Sequence, residues 1–217
     1  VYGSAYRRSE YIYDLAQLIH QQNLAPLHVI AHSLGGGVAL CYAGVYPENI
    51  KKMIVIEGTG GPPGNYYDRP IHKKIGDWIE QTRKMAGRLP KRYENLEEAF
   101  ERMHEANSHL RADQARHLTA HGSDQNEDGS YSWKFDNYTH VMSPLDILPH
   151  ETRELWGRID SPVMLVSGSE SWMDSVEREK HVTYFKDATH VTVQDAGHWV
   201  QHDQLDEFLR LTRDFFD

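Results

Sequence analysis

One cysteine, Cys41, is all that the 217 residues hold. An internal disulfide cannot form, and a cysteine-built metal cage is excluded. Basic residues are also scarce, with 23 Lys and Arg against 32 Asp and Glu, for a net charge of −9. The chain lacks the clustered cations that phosphate contacts need, so no nucleic-acid partner is expected. Its one basic-rich stretch, Arg83 to Arg92, is broken by Met85, Ala86, Gly87, Leu89 and Pro90 and reads as a solvated turn. No apolar run approaches the ~20 residues of a membrane-spanning helix. Nothing at the start has the pattern of a signal peptide, so no membrane partner and a cytoplasmic location are the expectation. Internal repeats and low-complexity segments are absent. What is there is ordinary for a folded globular protein: 39% hydrophobic and 25% charged residues. The length suits one domain, or one domain with an insertion.

Strand and helix patterns alternate at the two ends of the chain. Tyr11, Leu15, Leu18 and Ile19 have helical spacing. Leu27–Ala31 is a short apolar run of strand length, followed by His32-Ser33-Leu34-Gly35-Gly36-Gly37 and a small-residue stretch ending at Pro47. Met53–Ile56 reads as a buried parallel strand ending at Glu57-Gly58. The texture then changes. Thr59 to Gly64 is a loop; Ile71, Ile75, Trp78, Ile79 and Met85 mark a helix face; and Asn95 with Glu98 forms a cap pair opening another helix. A short helix is expected over Asp113–Ala120, and Gly122–Tyr138 is polar apart from Trp133 and Phe135. No strand is expected between Gly58 and Ser161. Strand texture returns at Pro162–Ser167 and His190–Val193, with helices over Glu177–Phe185 and through Leu205, Phe208, Leu209 and Phe215. This order predicts an α/β fold: a parallel-sheet core over residues 1–60 and 157–217, with a helical lid insertion over 61–156.

The segment Val29-Ile30-Ala31-His32-Ser33-Leu34-Gly35-Gly36 has the parts of a nucleophile elbow: a strand, a sharp turn with serine at its tip, and a helix. Such a turn is strained, and small residues two positions either side of the serine relieve it; here they are Ala31 and Gly35. The helix N-terminus behind Ser33 favours developing negative charge, and the Leu34 N–H is a candidate oxyanion donor.

On these residues the chain resembles the α/β-hydrolases, over nearly its whole length. Ala31-His32-Ser33-Leu34-Gly35-Gly36, the strand from Pro162 to Gly168, and Asp195-Ala196-Gly197-His198-Trp199 carry the likeness. Ile56-Glu57-Gly58 with Gly61-Pro62-Pro63 is similar to lidded bacterial serine hydrolases. The resemblance implies that His198, between a short strand and the terminal helix, is the general base. It places the acid beyond a strand end, at Glu170 or Glu57, with Asp174 a third possibility. The family's common aspartate position holds Ser171 here, and some relatives, including a branch of the haloalkane dehalogenases, draw their acid from the place of Glu57. His32 packs beside the elbow and, with Trp199, is a candidate substrate contact. His190 and His202 read as solvent-facing. The strands that precede the elbow helix in the family are not visible, nor is the loop that gives a second oxyanion donor. A longer polypeptide is therefore expected, with the elbow strand otherwise at a sheet edge.

The implied activity is that of a serine hydrolase cleaving a carboxylic ester or related acyl compound, with a small-molecule acyl substrate as partner and no cofactor or metal. Hydrolysis of a carbon–carbon bond by the same groups, or a non-catalytic ligand-binding role on the same fold, are the alternatives. Trp78, Trp133, Tyr66, Tyr67, Phe100 and Met103 are placed either along an acyl pocket or in the lid's own core.

Overall fold

The computed structural model describes residues 6–59, 66–86, 88–172 and 175–217; the predicted Gly61-Pro62-Pro63 loop and Asp174 lie outside them. Four parallel strands form the central sheet: β1 (Leu27–His32), β2 (Ile50–Ile56), β5 (Val163–Gly168) and β6 (Ala188–Val193), in the order β1-β2-β5-β6. The register aligns His32 with Ile56, Ile56 with Val166, and Gly168 with Val193, so these strands finish at one level.

Burial follows from position in the sheet. β5 is buried at every residue, whereas the edge strand β1 alternates between half-buried and exposed positions over most of its length. On one face Met53, Val55, Val163 and Leu165 pack with Ile19 of α1 (Arg8–Gln21), with Leu40 and Tyr42 of α2 (Leu34–Val45), and with Trp156. The alternate residues Ile54, Ile56, Met164 and Val166 pack on the other face with Val193, Val200 and Phe208. The period-two alternation of strand side chains thus gives the one sheet two cores.

The contacts divide the chain into two compact units. One takes in Arg7–Asp68 and Leu145–Asp217 and holds the sheet; α6 (Pro149–Trp156) belongs to it, its Leu155 carbonyl lying so close to Gly44 that a Cβ there would come within 2.4 Å. α7 (Ser175–Val182), α8 (Val200–Asp203) and α9 (Leu205–Phe216) complete that unit. Leu205 is exposed in the first turn of α9, and Phe208 is the residue of that helix that reaches the core.

The other unit spans Arg69–Pro144 with Tyr6 and carries α3 (Ile71–Met85), α4 (Leu96–Ala106) and α5 (Ala112–Gly122). Asn95 caps α4 by accepting the Glu98 N–H at 3.0 Å. Arg83 and Lys84, read as part of a turn, form the last turn of α3, whose Ile71, Ile75 and Ile79 are exposed. The expectation of no strand in this region is corrected: β3 (Ser123–Gln125) and β4 (Tyr131–Trp133) form an antiparallel hairpin. Its turn closes where the Asn126 N–H donates to the Ser130 carbonyl (2.7 Å) and Gly129 takes φ +84°, a left-handed angle suited to glycine. Each strand is three residues long, too short for an alternating pattern to register in the sequence. Trp133 donates its indole N–H to the Tyr93 hydroxyl and stacks on Phe135, and Phe100 lies under the Arg116 guanidinium, so both rings pack inside this unit. No helix among the described residues is long and apolar enough to cross a membrane.

α2 and the end of β2 also approach each other closely. A Cβ on Gly36 would come within 2.8 Å of the Gly58 Cα and of Val55 Cγ1, and one on Gly58 within 2.7 Å of the Gly36 Cα. Gly35, which the elbow pattern marked as the small residue, has no neighbour within 4 Å; it faces the open side of β1, and the crowding falls on Gly36 instead. Gly36→Ala is expected to destabilise by about 2 kcal/mol or more through overpacking. Gly35→Ala should leave the melting temperature unchanged or raise it, since alanine is the better helix former. A melt of each variant by circular dichroism checks this, and equal shifts at the two glycines would sink the close-contact account.

Candidate active site

Three strand ends bring the site together. Ser33 sits between β1 and α2 with φ 53° and ψ −124°, and Glu57 follows β2 with φ 51°. Positive φ in a residue with a Cβ costs on the order of 1–3 kcal/mol, so both turns must be held from outside. They are held by continuation of the sheet ladder: the Ser33 N–H donates to the Ile56 carbonyl at 2.8 Å, and the Glu57 N–H to the Val166 carbonyl at 2.9 Å. Each side chain is thereby turned out of the sheet at its carboxyl edge.

His198 reaches the same place from the loop after β6. That loop is pinned by Glu170 N–H to the Ala196 carbonyl (2.9 Å), Gly197 N–H to Asp203 Oδ2 (2.8 Å), and Asp195 N–H to Ser169 Oγ (3.0 Å). Its Nε2 lies 2.8 Å from Ser33 Oγ, within hydrogen-bond distance. On the far side of the ring, Nδ1 faces Glu57 Oε2 at 3.5 Å, an ion-pair separation too long for a well-formed hydrogen bond. Among the described residues Glu57 is the one carboxylate within ion-pair reach of His198.

The Glu57 side chain is fully buried, and two further donors hold it: the Gly168 N–H on Oε1 at 2.9 Å and the Ser171 hydroxyl on Oε2 at 2.6 Å. Of the two carboxylates the sequence left open, Glu57 stands against His198, and Glu170 is an exposed residue whose backbone pins the His198 loop. Ser171, which occupies the family's usual aspartate position, donates to the carboxylate that faces His198. Neither Ser171 nor Gly168 carries a sequence signal for this role, because both act only through the pairing of β2 with β5.

Leu34 opens α2, so its backbone N–H has no partner within the helix. It lines a cavity of about 100 Å3 together with Arg8, Ser33, Gly37, Glu57, Gly58 and Trp172. His32 and Trp199, the predicted substrate contacts, do not line this cavity. His32 packs beside the elbow, its ring 4.8 Å from that of His198 and 5.3 Å from that of Trp199, with Nε2 2.8 Å from the His198 carbonyl. His190 and His202 are both half-buried rather than solvent-facing: His190 Nε2 is 2.6 Å from Ser167 Oγ, and His202 packs on Trp199.

Comparisons with known proteins give the family. The profile of the alpha/beta hydrolase fold matches residues 3–205, and the chain belongs to that family. It is 25% identical over 213 residues to a candidate esterase/lipase of Haemophilus influenzae, covering 94% of this chain and 65% of the relative. It is 24% identical over 208 residues to a 2-hydroxy-6-oxononadienedioate/2-hydroxy-6-oxononatrienedioate hydrolase of Pseudomonas putida, covering 93% and 66%. The chain thus spans about two thirds of the length of these curated relatives. Among solved structures, a hypothetical protein of Pseudomonas aeruginosa PAO1 superposes with a TM-score of 0.83 at 20% identity, covering 100% of this chain and 75% of that one, a likeness of fold.

Burial holds the His32 pKa below its ordinary value; the neighbouring His198 and His202 add to the depression, while the hydrogen bond to the His198 carbonyl and the Glu57 charge oppose it. The unfolded chain therefore takes up this proton near pH 6.5, before the folded one does. Stability from a neutral, half-buried His32 is present above that pH and is lost as pH falls. Between about pH 7.5 and about pH 5 the melting temperature of the wild type should fall more steeply than that of His32→Gln, whose amide keeps a donor for the carbonyl. Coincident slopes would locate the acid sensitivity elsewhere.

Proposed function

We propose that the chain is the catalytic part of a serine hydrolase acting on a carboxylic ester or related acyl compound. The observation that carries this reading is Ser33 Oγ at 2.8 Å from His198 Nε2, with the Glu57 carboxylate behind Nδ1. In this mechanism the Ser33 oxygen attacks the acyl carbon, and its proton passes to His198 Nε2 as the C–O bond forms. Glu57 holds the imidazole in the tautomer that leaves Nε2 free to accept, and stabilises the charge it gains. The Leu34 N–H and the α2 N-terminus face the developing oxyanion. As the tetrahedral species collapses, His198 returns the proton to the departing alcohol. A water then attacks the acyl-serine with His198 again taking the proton, which goes back to Ser33 Oγ as the acid leaves.

The name of the Pseudomonas putida relative supports a second reading, hydrolysis of a carbon–carbon bond next to a carbonyl. The same three residues would serve it, with the proton from His198 going to carbon instead of oxygen.

Hydrolysis of p-nitrophenyl acetate by the purified chain tests the proposal. Ser33→Ala should lose about a thousand-fold or more. Glu57→Gln should fall by a comparable factor, because an amide cannot stabilise the imidazolium. Glu170→Gln should stay within about twofold of wild type. A large loss at Glu170 with little at Glu57 would reverse the choice of acid, and full activity in Ser33→Ala would end the serine mechanism.

A further inference from the structure

The cavity beside Ser33 contains one cation that the three catalytic roles do not use. Arg8 opens α1, is half-buried, and lines that cavity with Ser33, Leu34, Gly37, Glu57, Gly58 and Trp172. Its charge acts on the Cys41 thiol and the Tyr67 hydroxyl, lowering their pKa values against the burial that raises them. Neither group is a counter-ion, since both are neutral at ordinary pH. Among the described residues Arg8 takes part in no ion pair.

Glu57, in the same cavity, and Asp146 each have other partners. Glu57 receives the Gly168 N–H and the Ser171 hydroxyl and faces His198. Asp146 is near enough to act on Cys41 and Tyr67, yet its side chain accepts the Ile147 N–H. The placement also works against the helix that carries it, because a cation in a first turn opposes the dipole of α1. Glu57 is the one carboxylate among the described residues lining the cavity, and its oxygens are held by Gly168 and Ser171 and face His198 instead of pairing with Arg8. The N-terminus of α2, through Leu34 and Gly37, adds a second positive field on the same space.

We propose that the acyl substrate attacked by Ser33 carries a carboxylate, which Arg8 holds inside this cavity. The inference rests on Ser33 being the nucleophile, and it narrows the substrate class to monoesters of dicarboxylic acids or acyl compounds of the same charge.

The test compares two esters of matched length, p-nitrophenyl valerate and mono-p-nitrophenyl glutarate, each corrected for spontaneous hydrolysis. Wild type should favour the glutarate ester at least tenfold in kcat/KM. Arg8→Gln, which keeps a polar donor at this position without the charge, should cut that ratio tenfold or more through KM, and Arg8→Lys should retain part of it. No preference in the wild type overturns the proposal, and so does an equal loss on both esters in Arg8→Gln, which would mark Arg8 as structural or as an oxyanion donor. Calorimetry on Ser33→Ala gives a readout independent of turnover: glutarate should bind, and at least tenfold more weakly when Arg8→Gln is added. Glutarate binding that is absent, or unaffected by Arg8, also overturns it. If Ser33→Ala abolishes turnover while Arg8→Gln leaves the ester ratio intact, the serine hydrolase stands and the anion site falls. If turnover survives in Ser33→Ala, the nucleophile assignment falls and with it the claim about Ser33's substrate.

Discussion

The ladder of backbone hydrogen bonds that continues one residue past the end of each strand is the constraint on which the site depends. Ser33 donates to the last carbonyl of β2, Glu57 to a carbonyl of β5, and Ser169 to the last carbonyl of β6. These bonds hold two non-glycine residues at positive φ, a conformation that neither would keep in an isolated peptide. The strain is thus supported by the whole parallel sheet. Because all the strands run the same way, every such turn falls at the same edge, where parallel α/β sheets gather their ligands. Gly36 and Gly58 complete the arrangement by letting α2 rest against the backbone that carries Glu57.

The position of the carboxylate follows from this ladder. β2 is flanked by β1 on one side and β5 on the other, so the residue after its last position lies between the serine turn and the loop that leaves β5. From there Glu57 takes the Gly168 N–H on one oxygen and the Ser171 hydroxyl on the other, leaving one face toward His198. Three partners hold a buried charge that would otherwise be costly to desolvate. Glu170, although it follows β5, sits in a turn whose N–H is drawn to the Ala196 carbonyl, and it serves the histidine loop through its backbone.

His32 and Arg8 show how differently two cationic residue types are used around one serine. His32 is half-buried behind His198, its pKa lowered chiefly by desolvation, and its ring meets the His198 carbonyl. Arg8 keeps its charge in any environment a protein offers, and it stands at the mouth of α1 beside open volume. A group that can shed its proton tolerates burial among other histidines. One that cannot must face water, a carboxylate, or a ligand.

Local pattern in the sequence was enough for the parallel strands, the elbow and the histidine loop. A β-branched run with no alternation, a serine between small residues, and a Gly-His after a short strand are each written within a few consecutive positions. The Asn95 cap was legible for the same reason. The hairpin of β3 and β4 was not, since three-residue strands hold too few positions for a period to emerge. Nor was Gly36's place at the crowded contact, which depends on where β2 ends against α2. The carboxylate that meets His198 and the arginine that shares a cavity with Ser33 were decided by tertiary structure alone. Glu57 and Glu170 each follow a strand, and no local feature ranks them; the register of β2 against β5 does so, by supplying Gly168 and Ser171 to one and not the other. Arg8 reads in sequence as one more surface cation, and only the packing of α1 against α2 places it in a cavity with Ser33. Residues whose role lies in their own turn are visible one at a time, whereas those whose role lies across the sheet exist only once the strands have paired.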